Sequence, residues 1–464
     1  MHYDAVIIGA GMSGLAAGIR LALFDKRVCI VEKHYAYGGL NSYYNLNGRR
    51  FDVGLHALTN YVPPGRRSAP LPKLLRQLRL SRDELDLCEQ RGSEVRFHGR
   101  RLRFTNDLKA LTDEITRGFP GDADNFVEFL ERLHEVEYGE VDKDRLSARR
   151  VLSDTFHDPL LIEMLLCPVM YYGSPTEGDM EFADFATIFK SIFCEGLARP
   201  RQGIVGLLKP LVRRFRACGG KLRMQCGAER IHVRGNRVTG VKLQAGETLN
   251  CDTVLSSAGL LETMRLCDGG WMPDAGDGAA KTGRLSFVES FLVLDKRPAD
   301  LGFDQTVVFF CDQDAFDYAC PDEPVDLRSG VICCPNNYER HDDVPEGLVR
   351  VTWLANYDRW ATLGADAYAA LKRKYLEAAF DRAEKYMPAV REHVVFTDMF
   401  TPRTIESFTG HIQGAVYGSP QKCRDGRTPL ENLFLCGTDQ GLVGIIGALM
   451  SGVTMANRHV LAGP

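Results

Sequence analysis

The chain has no run of about 20 apolar residues, the length a membrane-spanning helix needs. Its longest apolar run, Leu442 to Val453, is interrupted by three glycines and a serine. No spanning helix is therefore expected. Net charge is also scarce: 464 residues carry a formal −4, with 25% charged and 45% apolar residues. That balance argues against nucleic acid as a partner and is ordinary for a folded soluble protein. The 14 cysteines are scattered singly apart from Cys333-Cys334, without a CxxC or a Cys/His cluster at zinc spacing. Neither a dithiol redox centre nor a metal is expected, and such usage predicts reduced thiols in the cytoplasm. A strand entered by Tyr3 leaves no room for a signal peptide. There is no internal repeat and no low-complexity tract. Tryptophan is limited to Trp271, Trp353 and Trp360, none of them in the last hundred residues.

What is present begins at the N-terminus. Tyr3 to Ile8 reads as a buried strand, and Gly9-Ala10-Gly11-Met12-Ser13-Gly14 follows at once. An apolar helix (Leu15 to Phe24) and a second strand (Val28 to Val31) ending on Glu32 complete a βαβ start. The three glycines serve a tight turn, close backbone approach to a pyrophosphate, and close helix–strand packing. The helix start offers free N–H groups and a positive dipole end to phosphates. Glu32 is placed to accept hydrogen bonds from ribose hydroxyls, and its charge would repel a 2′-phosphate.

Gly38-Gly39-Leu40-Asn41 comes six residues after Glu32 and leads into a hairpin around Asn47-Gly48. A glycine pair at this place lets the backbone pass close to a pyrophosphate and ribityl chain, which points to FAD rather than NAD. The C-terminus offers the second half of such a site. A strand, Asn432 to Cys436, runs into Gly437-Thr438-Asp439, and Gly441 and Gly444 open a helix from Ile445 to Val460. Asp439 is expected to bind a ribityl hydroxyl, and the N–H groups of Ile445 and Ile446 to face the flavin N1/O2 edge. The alternative is an ordinary C-terminal packing helix.

These motifs resemble those of the phytoene desaturase-like flavoproteins, which include carotenoid desaturases, carotenoid isomerases and retinol saturases within the amine-oxidase-type FAD fold. GAGMSG with Glu32, then Tyr37-Gly38-Gly39 and Phe51-Asp52-Val53-Gly54-Leu55-His56, carry the resemblance at the N-terminus. Phe119-Pro120-Gly121-Asp122, the stretch from Pro200 through Ser256-Ser257-Ala258, and Thr401-Pro402-Arg403 with Gly414-Ala415-Val416-Tyr417-Gly418 extend it. The chain departs from the family pattern at Pro200-Arg201-Gln202-Gly203 and at Leu40-Asn41.

The resemblance implies an α/β fold: a Rossmann-type FAD-binding domain of the amine-oxidase and glutathione-reductase kind, with a mixed α+β substrate domain. It implies an FAD domain assembled from 1–60, 201–280 and 425–464, with the substrate domain from 61–200 and 281–424. It adds Lys33 to the cofactor site and sets the backbone near Ala228 against the adenine. The substrate class it implies is a long apolar polyene or isoprenoid, with hydride exchanged at the flavin N5. By their own pattern, residues 61–200 read as largely helical (Leu108 to Arg117, Asn125 to Tyr138). The 281–424 stretch mixes strands with a long helix, Asp366 to Tyr386.

No second nucleotide fingerprint is visible, so electrons are expected to come from or go to an external donor or acceptor. His56 is the candidate acid or base near the flavin, with a histidine bonded to backbone as the alternative. Tyr417 is a candidate catalytic residue or a wall of the substrate tunnel. Between Val53 and Arg82 there is no acid, six residues from Arg66 to Arg82 are basic, and Leu71, Leu74, Leu75 and Leu78 form one helical stripe. Peripheral membrane contact through 66–82 stands beside a surface helix packed on the body. Two further readings remain open: an amine oxidase on the same scaffold, and a lipid-binding escort protein without flavin chemistry.

Overall fold

A computed structural model describes residues 2–136, 145–269, 282–340, 346–387 and 390–462. The expected helix end at Tyr138, the end of the 201–280 segment and Trp271 lie outside them.

The chain opens with β1 (His2–Ile8), α1 (Met12–Ala22) and β2 (Val28–Val31), followed by a hairpin of β3 (Tyr43–Leu46) and β4 (Arg49–Asp52). Helix α2 (Pro70–Leu78) precedes β5 (Leu87–Glu89), β6 (Ser93–Phe97) and β7 (Arg100–Phe104). Five helices come next: α3 (Leu108–Gly118), α4 (Ala123–Glu135), α5 (Ala148–Thr155), α6 (Pro159–Gly173) and α7 (Phe182–Phe189). β8 (Ala198–Pro200) and α8 (Val205–Ala217) lead to β9 (Lys221–Arg223), β10 (Ala228–Arg234), β11 (Arg237–Leu243), β12 (Thr248–Ser256) and α9 (Leu260–Leu266). β13 (Ser286–Leu294), β14 (Val307–Cys311), β15 (Ser329–Cys333) and β16 (Gly347–Ala355) follow. The last part holds α10 (Tyr357–Ala361), α11 (Ala365–Tyr386), β17 (Val394–Phe400), α12 (Pro402–Thr409), β18 (Leu433–Leu435) and α13 (Gly444–Ala456).

One sheet runs β10-β11-β12-β1-β2-β9, with β18 also beside β12. Its centre is parallel: β12, β1, β2 and β9 all point the same way, so the mouths of the first and last βα units share one edge. Helix α1 is rich in Gly and Ala for a packing reason. A Cβ at Gly18 would stand 2.7 Å from Ile30 Cδ1, and one at Gly452 of α13 would stand 2.0 Å from the Ser13 carbonyl. Small residues let α1 lie against both the sheet and α13, which brings the two chain ends together.

The second sheet runs β17-β13-β16-β15-β14-β6-β7. β13 is buried along its whole length, which explains why apolar residues occupy both of its faces, with Ser286, Glu289 and Ser290 as its buried polar positions. Residues 61–200 are less uniformly helical than expected, because β6 and β7 pair around a left-handed Gly99 and extend this sheet. Arginines at 96, 100, 101 and 103 mask the apolar period of those strands. The five helices α3–α7 bury a phenylalanine-rich core that includes Phe126, Phe129, Phe185 and Phe189.

The α2 stripe faces inward. Leu71, Leu74, Leu75 and Leu78 are 0–5% exposed and join the core between α1, α8 and α13. That arrangement is the surface helix packed on the body. As a membrane-inserting face the stripe is corrected: its apolar side is already covered.

Candidate functional site

The glycine loop shows a division of labour among its three glycines. Gly9 has φ +96°, a left-handed turn at the end of β1. A Cβ on Gly14 would stand 2.1 Å from the Gly9 carbonyl, so helix and loop can meet only without it. A Cβ on Gly11 would meet nothing within 4 Å. Gly11 borders open space, and that space is a cavity of about 530 Å³.

Two helices begin at this cavity. α1 starts with Gly11 as its N-cap, and α13 starts with Val443. Neither N-cap has a side-chain hydrogen bond. The first-turn N–H groups of each helix have no intrahelical partner, so both present donors and a positive dipole end to the same space.

Sixteen of the expected residues line the cavity: Gly9, Gly11, Met12, Ser13, Glu32, Lys33, Gly38, Gly39, Leu40, Asn41, His56, Ala228, Tyr417, Gly437, Gly444 and Ile445. Four do not. Ala10 directs its N–H to Glu32 Oε2 at 2.8 Å, Gly14 lies beneath the loop, and Ile446 buries its side chain in the core. Asp439 is the substantive correction. Its Oδ1 accepts the Ser419 N–H at 2.8 Å and its Oδ2 the Leu260 N–H at 2.7 Å, with Lys422 4.0 Å away. The carboxylate ties two loops and the start of α9 together and is not on the cavity surface. Thr438, one residue earlier, lines the cavity in its place.

At one end of the cavity Glu32 accepts from Ala10 and from His34 N–H at 2.9 Å, one bond to each oxygen. A carboxylate has about four acceptor sites, so capacity remains for a diol. Sequence reasoning missed Glu262 and Arg265 of α9 here. Burial alone would raise the Glu262 carboxyl, but His411 and the Ile412 N–H outweigh it and hold it below the usual range.

At the other end the cavity enters the second sheet, where β13 and β16 set Glu289 directly opposite Thr352. His56 Nε2 lies 2.9 Å from Thr352 Oγ1 and 3.2 Å from Glu289 Oε1. Arg350, 0% exposed, donates to the Glu289 carboxylate, which is 2% exposed. Burial pushes Glu289 up, yet Arg350 and His56 prevail and bring its carboxyl down to about 2. Burial lowers the proton affinity of His56, with Glu289 opposing. The imidazole is therefore neutral near pH 7. Tyr417 donates its hydroxyl to the Tyr171 carbonyl, and burial holds its phenol well above the ordinary value. No local signal marks Glu289, Thr352 or Arg350, because strand register across about sixty residues brings them together.

The residues present fit a dinucleotide flavin. The cavity has the size of a cofactor site, two uncapped helix starts, an acid at one end, an opening where a Cβ is absent, and an aromatic wall of Tyr171, Tyr172 and Phe287 at the other end.

Comparison with known proteins agrees with this geometry. The model of a family described as "Flavin containing amine oxidoreductase" matches residues 12–459. All-trans-retinol 13,14-reductase of Danio rerio is 22% identical over 97% of this chain and 85% of its own. A chloroplastic prolycopene isomerase of Arabidopsis thaliana is 22% identical over 98% of this chain and 82% of its own. Among solved structures, an oxidoreductase from Methanosarcina mazei superposes with a TM-score of 0.68 at 16% identity, covering 98% of this chain and 99% of that one. At that identity the likeness shows the fold alone.

Proposed function

From the premise that the chain belongs to the flavin-containing amine oxidoreductase family, we propose that it exchanges hydride between FAD and a carbon–carbon bond of a polyene or isoprenoid lipid, as desaturase, saturase or isomerase. The chain is an FAD oxidoreductase. The substrate class and the residue roles are our reading. Gly11, Met12, Ser13 and the glycine pair Gly38-Gly39 would cradle the pyrophosphate, Glu32 the adenosine ribose, and the start of α13 the pyrimidine edge of the flavin. When bound, FAD supplies the two-electron acceptor or donor.

One observation carries the substrate class. The cavity runs without a break from the glycine loops into a chamber walled by Tyr171, Tyr172, Ile188, Phe287, Val331 and Phe400. Glu289, the carboxylate at this end of the cavity, is already neutralised by Arg350. An uncompensated carboxylate would favour a protonated amine, and this end of the cavity shows none on Glu289, whereas an apolar chain needs no counter-charge. The printed names of the retinol reductase and the prolycopene isomerase point to the same class.

Amine oxidation is the second reading, favoured by one feature. Phe287 and Tyr417 stand edge to face with centroids 6.1 Å apart, as two walls of an aromatic slot. The escort reading is set aside, since a carrier does not need a glycine-lined opening between two helix starts.

The test is anaerobic incubation of the purified yellow protein with isoprenoids, carotenoids, retinoids and amines, in both flavin redox states. Bleaching or reoxidation of the flavin band is expected with members of the first three groups. Bleaching by amines alone would overturn the lipid reading. As desaturase or saturase the enzyme would need an external electron acceptor or donor as its second substrate; as isomerase it would need none in net terms.

Peripheral membrane contact, if made through 66–82, is electrostatic. Arg66, Arg67, Lys73 and Arg76 remain outward while the leucines are covered. Vesicle binding would then be abolished by moderate salt.

A further inference from the structure

The buried charges around His56 are more numerous than holding a loop requires. The Leu55 carbonyl accepts from both Arg199 Nη1, at 2.7 Å, and Arg350 Nη1. The His56 carbonyl accepts from Tyr338 Oη at 2.9 Å and Cys333 Sγ at 3.6 Å. Arg199 is paired in turn with Asp52, whose Oδ2 accepts the Ile204 N–H at 3.1 Å. Four side chains, three of them from β8, β15 and β16, thus fix the backbone on either side of one histidine.

The ring is fixed as well. Its Nε2 faces an ionised carboxylate and a hydroxyl, an arrangement that favours a proton on Nε2. Its Nδ1 has no hydrogen-bond partner among the described residues, and the ring lines the cavity. The ionic groups gathered here are Glu289 of β13, Arg350 of β16, Arg199 of β8 and Asp52 of β4. The neighbouring Cys333 thiol and the Tyr172 and Tyr338 phenols are all raised by burial and stay neutral.

We propose that the Glu289–Arg350 ion pair is the positioning device of this site: it holds His56 as the Nε2–H form and leaves Nδ1 as the proton acceptor of the substrate chamber. This rests on the carbon–carbon reading above and names the proton's place in it. In desaturation a bound FAD would supply the two-electron acceptor for the hydride of one C–H bond. The adjacent C–H bond breaks with its proton going to His56 Nδ1, and its electron pair becomes the new π bond. The imidazolium so formed gains its counter-charge from Glu289, while Arg350 balances that carboxylate before and after. In the reverse direction, with a bound reduced FAD supplying the hydride, the His56 imidazolium would return the proton. The logic is that of a carboxylate orienting a histidine base, with a cation added so that the carboxylate does not hold the base protonated at rest.

The test uses the FAD-loaded enzyme with 15N-labelled histidine, and His56→Gln to assign the His56 signal. In the wild type the Nδ1 shift should be that of an unprotonated nitrogen near pH 7. Glu289→Gln should lower the titration midpoint of His56. It should also shift the acid limb of flavin reduction to lower pH by the same amount, and depress the plateau rate about tenfold or more. The reducing compound is whichever member of the panel bleaches the flavin. Should Glu289→Gln fail to fold, the charge-free pair Glu289→Gln with Arg350→Met serves. It should return the limb toward its wild-type position while the plateau stays depressed. A proton found on Nδ1 in the wild type, or an acid limb that stays put while the His56 titration moves, overturns the proposal. The NMR arm needs no substrate. A correct tautomer in a protein that no polyene bleaches therefore sinks the substrate reading and leaves the positioning intact.

Discussion

Glu289 is ionised inside the protein because Arg350 donates to it, and that has a consequence for stability that can be measured. Its folded carboxyl titrates at about 2, whereas an unfolded glutamate titrates near 4.3. The native state therefore favours the charged form. Its contribution is fully present above roughly pH 5 and is lost as pH falls through the folded value. In a His56→Gln background, which removes the imidazole's own titration, urea midpoints taken from pH 6 down to pH 2.5 should fall more steeply with Glu289 present than with Glu289→Gln added, and parallel curves would contradict the ion pair. At neutral pH, Glu289→Gln leaves Arg350 buried without its counter-charge and is expected to cost about 3–5 kcal/mol. Tyr417 offers the opposite case. Its hydroxyl is spent on the Tyr171 carbonyl, so Tyr417→Phe should keep flavin reduction within about tenfold of wild type. Removing a true acid or base costs about 100- to 10,000-fold. Stopped-flow reduction of both His56→Gln and Tyr417→Phe separates the two roles.

At the scale of elements, α2 shows what a periodic pattern can and cannot say. The leucine stripe predicts an amphipathic helix, and one is present at Pro70–Leu78. The stripe does not say what it faces, because a membrane and a protein body ask for the same apolar surface. Leu78 is 0% exposed against the core of α1, α8 and α13. Leu78→Ala is expected to destabilise the protein by about 2–5 kcal/mol and to leave vesicle binding unchanged, as read by thermal melts and flotation. The N-terminal βαβ unit was legible for a different reason: its strand, loop, helix and acid lie within 32 residues, and each glycine answers a local geometric demand. Asp439 shows where that reasoning stops. An acid after a strand near a glycine-opened helix has the pattern of a ribityl ligand, but Ser419 and Leu260 approach from distant segments and take both its oxygens. The same long-range assembly hid Glu289, Thr352 and Arg350. The register of β13 on β16 is set by pairing along nine residues on each strand, and no short window of sequence contains it.

The whole molecule is organised by the meeting of its two ends. Gly452 of α13 lies so close to the Ser13 carbonyl of α1 that a Cβ there has no room, and this packing sets the two helix starts on one cavity. The second sheet closes the far end of that cavity with an aromatic and aliphatic wall and one self-neutralised ion pair. A flavin held between the helix starts would then meet an apolar chain head-on, with a single polar corner at His56. The cradle thus depends equally on residues more than 400 positions apart, which local damage at either end should reveal. Gly11 and Gly444 are the informative positions, since a Cβ at either would meet no protein atom within 4 Å and would project only into the space assigned to the cofactor. Gly444 also has φ +73°, so a side chain there carries backbone strain of about 1–2 kcal/mol, whereas Gly11 carries none. The decisive measurement is the FAD content per chain of Gly11→Val and Gly444→Val, by flavin absorbance after gel filtration, beside thermal melts of the apoproteins. The account predicts about one FAD per wild-type chain, colourless variants at both positions, and an apoprotein melt for Gly11→Val that matches the wild-type apoprotein. A Gly11→Val protein that folds and keeps its full yellow colour would contradict it.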